Sequence, residues 1–138
     1  MRRSPSLAVD IIILFGEKIV LIKRGNEPFK DFFALPGGFV EYGETIENAA
    51  LREAKEETNL VLSNLILLGV YSEPNRDPRG HTVSVVFYAD ASGVPKAGDD
   101  AKELFLFELD SIPKNLSFDH NKIIQDYLAL RRGEDYNR

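Results

Sequence analysis

The hydrophobic positions begin with two closely spaced runs. LAVDIIILF (residues 7–15) and KIVLIKR (residues 18–24) are rich in β-branched side chains and are separated by Gly16-Glu17. Runs of this kind joined by two turn residues predict a β-hairpin. GNEPFKDFFALPGG (residues 25–38) predicts a loop with a short strand near residues 33–35 and a diglycine turn. From residue 45 the pattern becomes helical. Thr45 is the expected N-cap, Glu47 lies in the first turn, and alanine-rich propensity carries the helix to Thr58. Residues 65–72 and 81–89 predict two further strands joined by the loop EPNRDPRG. Residues 104–109 predict another, entered from PKAGDDAKE. Ile123, Ile124, Tyr127 and Leu128 stand at helical spacing, which predicts a second helix over residues 118–130. The tail RRGEDYNR is expected to fray. No internal repeat or low-complexity linker interrupts the chain, so residues 1–138 read as one domain. Many strands with two helices predict an α/β sandwich around a mixed sheet, not a doubly wound parallel one.

Composition narrows the chemistry. A chain of 138 residues, 43% hydrophobic and 28% charged, is long and apolar enough to bury a core and is unlike a disordered segment. There is no cysteine, so any metal must be held by oxygen or by the two histidines, which favours hard cations. The net charge of -5 carries no general nucleic-acid footprint, although it leaves room for a small nucleotide whose phosphates are met locally. Met1-Arg2-Arg3 precedes an apolar segment, but that segment is short, is interrupted by Asp10 and has no small-residue cleavage pattern after it. No run approaches the roughly 20 apolar residues of a membrane span. A cytoplasmic location is expected.

The helix over residues 45–58 concentrates the candidate chemistry. Glu53, Glu56 and Glu57 stand at i, i+3 and i+4 and share one face, where their charges repel. The same stripe runs back through Ala50, Ala49 and Ile46, an apolar and mostly small surface that can look inward. Arg52 precedes Glu56 by four residues and is placed to hold it by a bidentate pair. Divalent cations would neutralise such a cluster, and Mg²⁺ typically takes one or two carboxylates, waters and phosphate oxygens. Glutamate-rich faces are also common as solvated surface, so the helix alone leaves both readings open.

The wider spacing decides between them. Gly38 is followed after five residues by Glu44, and after seven more by Arg52-Glu53-Ala54-Lys55-Glu56-Glu57. At roughly 7% usage per fixed type, six such matches arise by chance about once in ten million windows. Over residues 38–60 the sequence resembles the Nudix box of the Nudix hydrolase family. One position departs: the family's glycine after the helix is Asn59 here, which tolerates the left-handed conformation a helix end requires. The resemblance implies a Nudix-type α/β/α sandwich. It also implies hydrolysis of a nucleoside diphosphate linked to another group, with Mg²⁺ or Mn²⁺. Glu53, Glu56 and Glu57 are the implied metal ligands, with Glu53 also activating water. Arg52 and Glu44 are implied supports, and Gly37 and Gly38 let backbone carbonyls approach the metals. The family often draws a further acid from a distant loop, for which Asp100 is the candidate among Asp99, Asp100 and Glu103. A polar loop capping the next strand is the competing reading of these acids.

Outside the box, RDPRGH followed by an alternating strand is similar to the ADP-ribose pyrophosphatase branch of the family. With ALPGGFVEYGE and SFDHNKII the resemblance spans most of the chain. It implies cleavage of ADP-ribose to AMP and ribose 5-phosphate, and a homodimer. Arg79, Arg24 and Arg76 are candidates to meet phosphate or a ribose hydroxyl, against an ion pair of the loop arginines with Asp77. Phe33 is the candidate for stacking on adenine, against core or dimer packing. His81 and His120 have no partner at ligand spacing and read as structural. Two alternatives stay open. One is a hydrolase that cleanses oxidised deoxynucleotides. The other is a non-catalytic nucleotide sensor, although such regulators usually attach a DNA-binding domain for which 138 residues leave no room, and their boxes often lose carboxylates.

Overall fold

In the computed structural model, which describes residues 3–98 and 101–133, the hairpin of the first two runs forms and then opens. Strand β1 (Ser6–Phe15) pairs antiparallel with β2 (Lys18–Arg24) at only two positions, Leu14 with Ile19 and Phe15 with Lys18. Beyond them the strands diverge. Into the gap come β3 (Phe33–Ala34), paired with β2, and β4 (Gly37–Phe39), paired with β1. The diglycine expected as a turn is therefore β4 itself, a correction that matters because Gly37 lies opposite Asp10 and Gly38 opposite Val9.

The other edge of β1 pairs in parallel with β6 (Thr82–Ser92), and β6 pairs antiparallel with β5 (Val61–Tyr71). Strand β7 (Ala101–Glu108) lies along β2. The sheet is mixed, in the order β3-β2-β1-β6-β5, with β4 on β1 and β7 on β2. Residues 61–64 extend β5 beyond the expected start, and irregular pairing with β6 near Ser63 and Gly69 blurs the alternation that would have announced them.

Helix α1 (Ile46–Thr58) covers one face of the sheet and α2 (His120–Arg131) the other. Odd positions of β1, Val9, Ile11 and Ile13, pack with Ala49, Ala50 and Ala54 of α1. Even positions, Ile12 and Leu14, pack with Ile123, Ile124 and Tyr127 of α2. A strand covered on both faces needs the unbroken apolar run that β1 carries. Each fully buried isoleucine there contributes about 1.5–3 kcal/mol of transfer free energy. The expected α/β/α layering is present, with the opened hairpin at its centre. No described helix is long and apolar enough to cross a membrane.

Candidate active site

Helix α1 starts and stops where its sequence directs. The Thr45 side chain accepts the Asn48 N–H, and Asn59 adopts the left-handed conformation (φ 64°) that the missing glycine would otherwise supply. The Asn59 side chain also donates to the Val94 carbonyl. With Lys96 N–H on the Thr58 carbonyl and Gly98 N–H on that of Glu57, it ties the β6–β7 loop to the end of α1. A Cβ on Gly98 would collide with the Glu56 carbonyl oxygen. Asp100, the loop acid expected from the sequence, lies outside the described residues.

The inward face of α1 meets β4. Arg52 is the hub. Its Nε and Nη2 form a fork on Glu44, at 2.6 and 3.0 Å. Nη1 reaches Glu53 at 2.6 Å and Glu56 at 3.0 Å, and Nη2 also donates to the Phe39 carbonyl. The expected contact with Glu56 forms through both of its oxygens on Nη1 alone, while the two-nitrogen fork is on Glu44, brought in by the turn of residues 41–44. The Arg52 hydrogen bonds, followed by the Glu41 backbone N–H, hold the Glu44 carboxyl down at about 2. Glu44 raises Arg52 in turn, against the cost of partial burial.

Glu57 is buried and accepts the Gly37 N–H at 2.7 Å through Oε1. Glu53 lies against Gly38, where a Cβ would stand 2.5 Å from its Oε2. The spacing between the glycines and the glutamates is therefore a packing requirement between β4 and α1. Among the described residues, no three acidic or histidine side chains are gathered as a finished metal cage. Glu53 and Glu56 turn to Arg52, and Glu57 to Gly37. The donors are carboxylate oxygens beside backbone that only glycine allows so close, a set that fits a hard divalent cation.

This face lines an open groove of about 880 Å³ with Ile22 and Arg24 of β2, Gly37, Gly38 and Phe39 of β4, and Arg79. Arg24 and Arg79 both stack on the Phe118 ring, 5.0 and 5.6 Å from its centroid. Phe118 has φ 53° and precedes α2, outside the helix predicted to begin there. Burial, and next the charge of Arg79, depress Arg24 below its usual value. Arg79 is held in a fork by Asp77. Two cations that share one ring and line a carboxylate-bearing groove are a combination chemically suited to an anion.

Two sequence candidates lie outside this groove. The Arg76 side chain is enclosed and lines a smaller recess beside it; its Nε and Nη2 donate to Asp119 at 2.9 and 2.6 Å, so its guanidinium also ties the β5–β6 loop to the start of α2. Phe33 packs edge-on against Phe105 and Phe107 of β7, away from the groove. Phe39 is the aromatic ring that lines it, and Phe118 lines the smaller recess beside it. Phe118 was not singled out because no local pattern marks an aromatic that works through residues some 40 and 90 positions away.

Residues 4–127 match the family model described as NUDIX domain. The chain belongs to the Nudix hydrolase family. It is 59% identical over 130 residues to a protein of Methanocaldococcus jannaschii named ADP-ribose pyrophosphatase, covering 94% of this chain and 76% of that one. It is 31% identical over 136 residues to the ADPR responsive transcriptional repressor NtrR of Acinetobacter baylyi, of which it spans 54% while 91% of this chain is covered. The Nudix domain of Shewanella oneidensis NrtR, solved with ADP ribose, superposes with a TM-score of 0.83 at 25% identity, over 94% of this chain and 90% of that one. Nudix hydrolases are generally dependent on a divalent metal, which agrees with the donor set on α1.

Proposed function

We propose that this Nudix hydrolase acts in the cytoplasm, where it cleaves the pyrophosphate of ADP-ribose with Mg²⁺, water entering and AMP and ribose 5-phosphate leaving. The observation that carries the reading is the groove itself, which Glu53, Glu56 and Glu57 line together with the Arg24 and Arg79 cations. The archaeal relative's name supports ADP-ribose as the substrate. Glu53, Glu56, Glu57 and the Gly37 carbonyl would hold Mg²⁺, which, when bound, polarises phosphoryl oxygens and lowers the pKa of water. Glu53 is suited to take the proton of the attacking water, Arg52 keeps Glu53 and Glu56 aligned, and Arg24 and Arg79 neutralise the diphosphate. Asp100 remains a candidate for a further acid. Arg76 serves to hold loop and helix together, and Phe33 to pack β7.

Incubation with ADP-ribose and Mg²⁺ should release AMP, read by chromatography. Arg79→Ala should lower kcat/KM by roughly 10- to 100-fold, the range for a lost hydrogen bond to a charged group. A protein that turns over oxidised dGTP but leaves ADP-ribose intact would overturn the substrate. The repressor relatives favour a second reading, a sensor that binds ADP-ribose without cleaving it. The presence of Glu44, Glu53, Glu56 and Glu57 speaks for turnover, and tight binding with no AMP formed would reverse that judgement.

The reading extends to a homodimer. Strand β5 ends the sheet order and carries exposed Val61, Ile66, Leu67 and Val70. An open apolar edge is suited to a second copy of the same strand in a two-fold contact. Sedimentation should give twice the chain mass, falling to the chain mass in Leu67→Lys; a wild-type monomer at micromolar concentration would sink the idea.

A further inference from the structure

Behind the groove lies a recess of about 80 Å³ that shares Ile22, Arg24, Gly37, Phe39, Glu57 and Arg79 with it and ends on Asp10 and His120. Asp10 interrupts the apolar run of β1, and both side chains are almost fully enclosed, at 13% and 4% exposure. A buried acid in the central strand of a sheet is costly unless its oxygens are used. Among the described residues Oδ2 carries the contacts: it accepts the Ser84 hydroxyl and lies 4.0 Å from the Arg76 guanidinium. Oδ1 stands 3.6 Å from Nε2 of His120, too far for a good hydrogen bond.

The tautomer of His120 follows from its other nitrogen. Nδ1 accepts the Leu35 N–H at 3.0 Å, so in the neutral ring the proton resides on Nε2. Burial first of all keeps this imidazole's pKa below its ordinary value, which favours that neutral ring. The recess therefore ends on one donor, Nε2–H, and one acceptor, Oδ1, side by side. A hydroxyl group satisfies both at once, giving its proton to Oδ1 and accepting from Nε2. The phosphates of a diphosphate ester carry no proton at neutral pH to give to Oδ1, although the recess is lined by Arg24, Arg76 and Arg79 as well as by Asp10, Asp77 and Glu57. Whole-ligand pockets run to roughly 300–1,000 Å³, so this recess takes one end of a substrate and not a base with its sugar. Gly37 keeps the way open, since a Cβ there would stand 2.5 Å from Oδ1.

We propose that Asp10 and His120 form a hydroxyl-recognition subsite that takes the distal sugar of the substrate, and so select a diphosphate ending in a polyhydroxylated group. The inference rests on the ADP-ribose reading and adds to it the part of the molecule that tells one nucleoside diphosphate derivative from another. The diphosphate lies at Arg24 and Arg79, at the rim, and the terminal ribose points inward. Asp10 and His120 bind the sugar and take no part in the bond cleavage.

The test crosses enzyme and substrate. Wild type and Asp10→Ala are assayed on ADP-ribose and on analogues lacking single hydroxyls of the distal ribose. In the wild type, loss of the recognised hydroxyl should lower kcat/KM by roughly 10- to 100-fold, the effect of leaving a buried donor and acceptor unpaired. In Asp10→Ala the same deletion should cost less than about threefold, because the acceptor is already gone. Equal sensitivity in both proteins would overturn the subsite while leaving ADP-ribose hydrolysis in place. Should Asp10→Ala fail to fold, the wild-type series decides alone: indifference to every deletion overturns the subsite, and a 10- to 100-fold loss at one position supports it. A wild type inert towards ADP-ribose itself overturns the substrate reading, and the subsite with it, before any analogue is compared.

Discussion

Replacing Glu57 by Gln is expected to lower kcat for ADP-ribose on the order of 10³-fold while the protein stays folded. Glu57 is the most enclosed of the three glutamates and lines both the groove and the recess. Its Oε1 accepts the Gly37 N–H at 2.7 Å, a bond the amide oxygen of glutamine can keep. Shape and backbone anchoring are thus preserved, and what disappears is one negative charge facing the groove. Loss of a single group aimed at developing charge costs about 10²–10³ in kcat in well-studied enzymes, and an anionic metal ligand should exceed that. Melting followed by circular dichroism would check the fold, and AMP release at saturating substrate the rate. A kcat within tenfold of wild type would remove Glu57 from the metal face. A large loss accompanied by a collapsed melting temperature would make its role structural.

The parts of the fold that could be read from the sequence are those set by neighbours along the chain. The first hairpin, the Thr45 cap and the Asn59 left-handed end follow from turn chemistry and helix periodicity, and each is present. Strand β4 was missed because Gly37-Gly38 carries no strand propensity; it is a strand only because β1 and β2 diverge and leave β1 an open edge. The glutamate stripe was legible for the same reason as the helix. Its true clamp was not, since the fork from Arg52 to Glu44 depends on how residues 41–44 turn back. Aromatics and arginines were hardest to place. Phe33, close to the box in sequence, packs on β7, whereas Phe118, far from it, contacts both Arg24 and Arg79. Arg76 and Arg79 sit three residues apart in one loop, yet Asp119 takes the first inward and Asp77 holds the second at the groove. Such choices depend on partners brought close only by the tertiary fold.

The two glycines of β4 are expected to fail in different ways when given a methyl group. In Gly38→Ala the new Cβ meets the end of the Glu53 side chain, 2.5 Å from Oε2 and 2.6 Å from Cδ. A carboxylate can swing aside, so the fold should tolerate the change. Glu53 would then leave its place beside Arg52, and displacement of a catalytic group by about 1 Å can cost 10²-fold in rate. Gly38→Ala should therefore lose on the order of 10² in kcat with its melting temperature nearly unchanged. In Gly37→Ala the Cβ meets the Val9 carbonyl oxygen and the Asp10 Cα, which belong to the backbone of β1. Val9 is fully buried between β4 and β6, so that backbone has nowhere to go. Overpacking of this kind costs about 1–3 kcal/mol or more. For a chain of this size that lowers the melting temperature by roughly 3 to 12 °C. The same methyl would cover Asp10 Oδ1, so Gly37→Ala protein that remains folded should also lose discrimination among the distal-ribose analogues, whereas Gly38→Ala should keep it. Equal melting temperatures for the two variants would contradict the packing of β4 on β1. A fully active Gly38→Ala would show that Glu53 need not stand where it does.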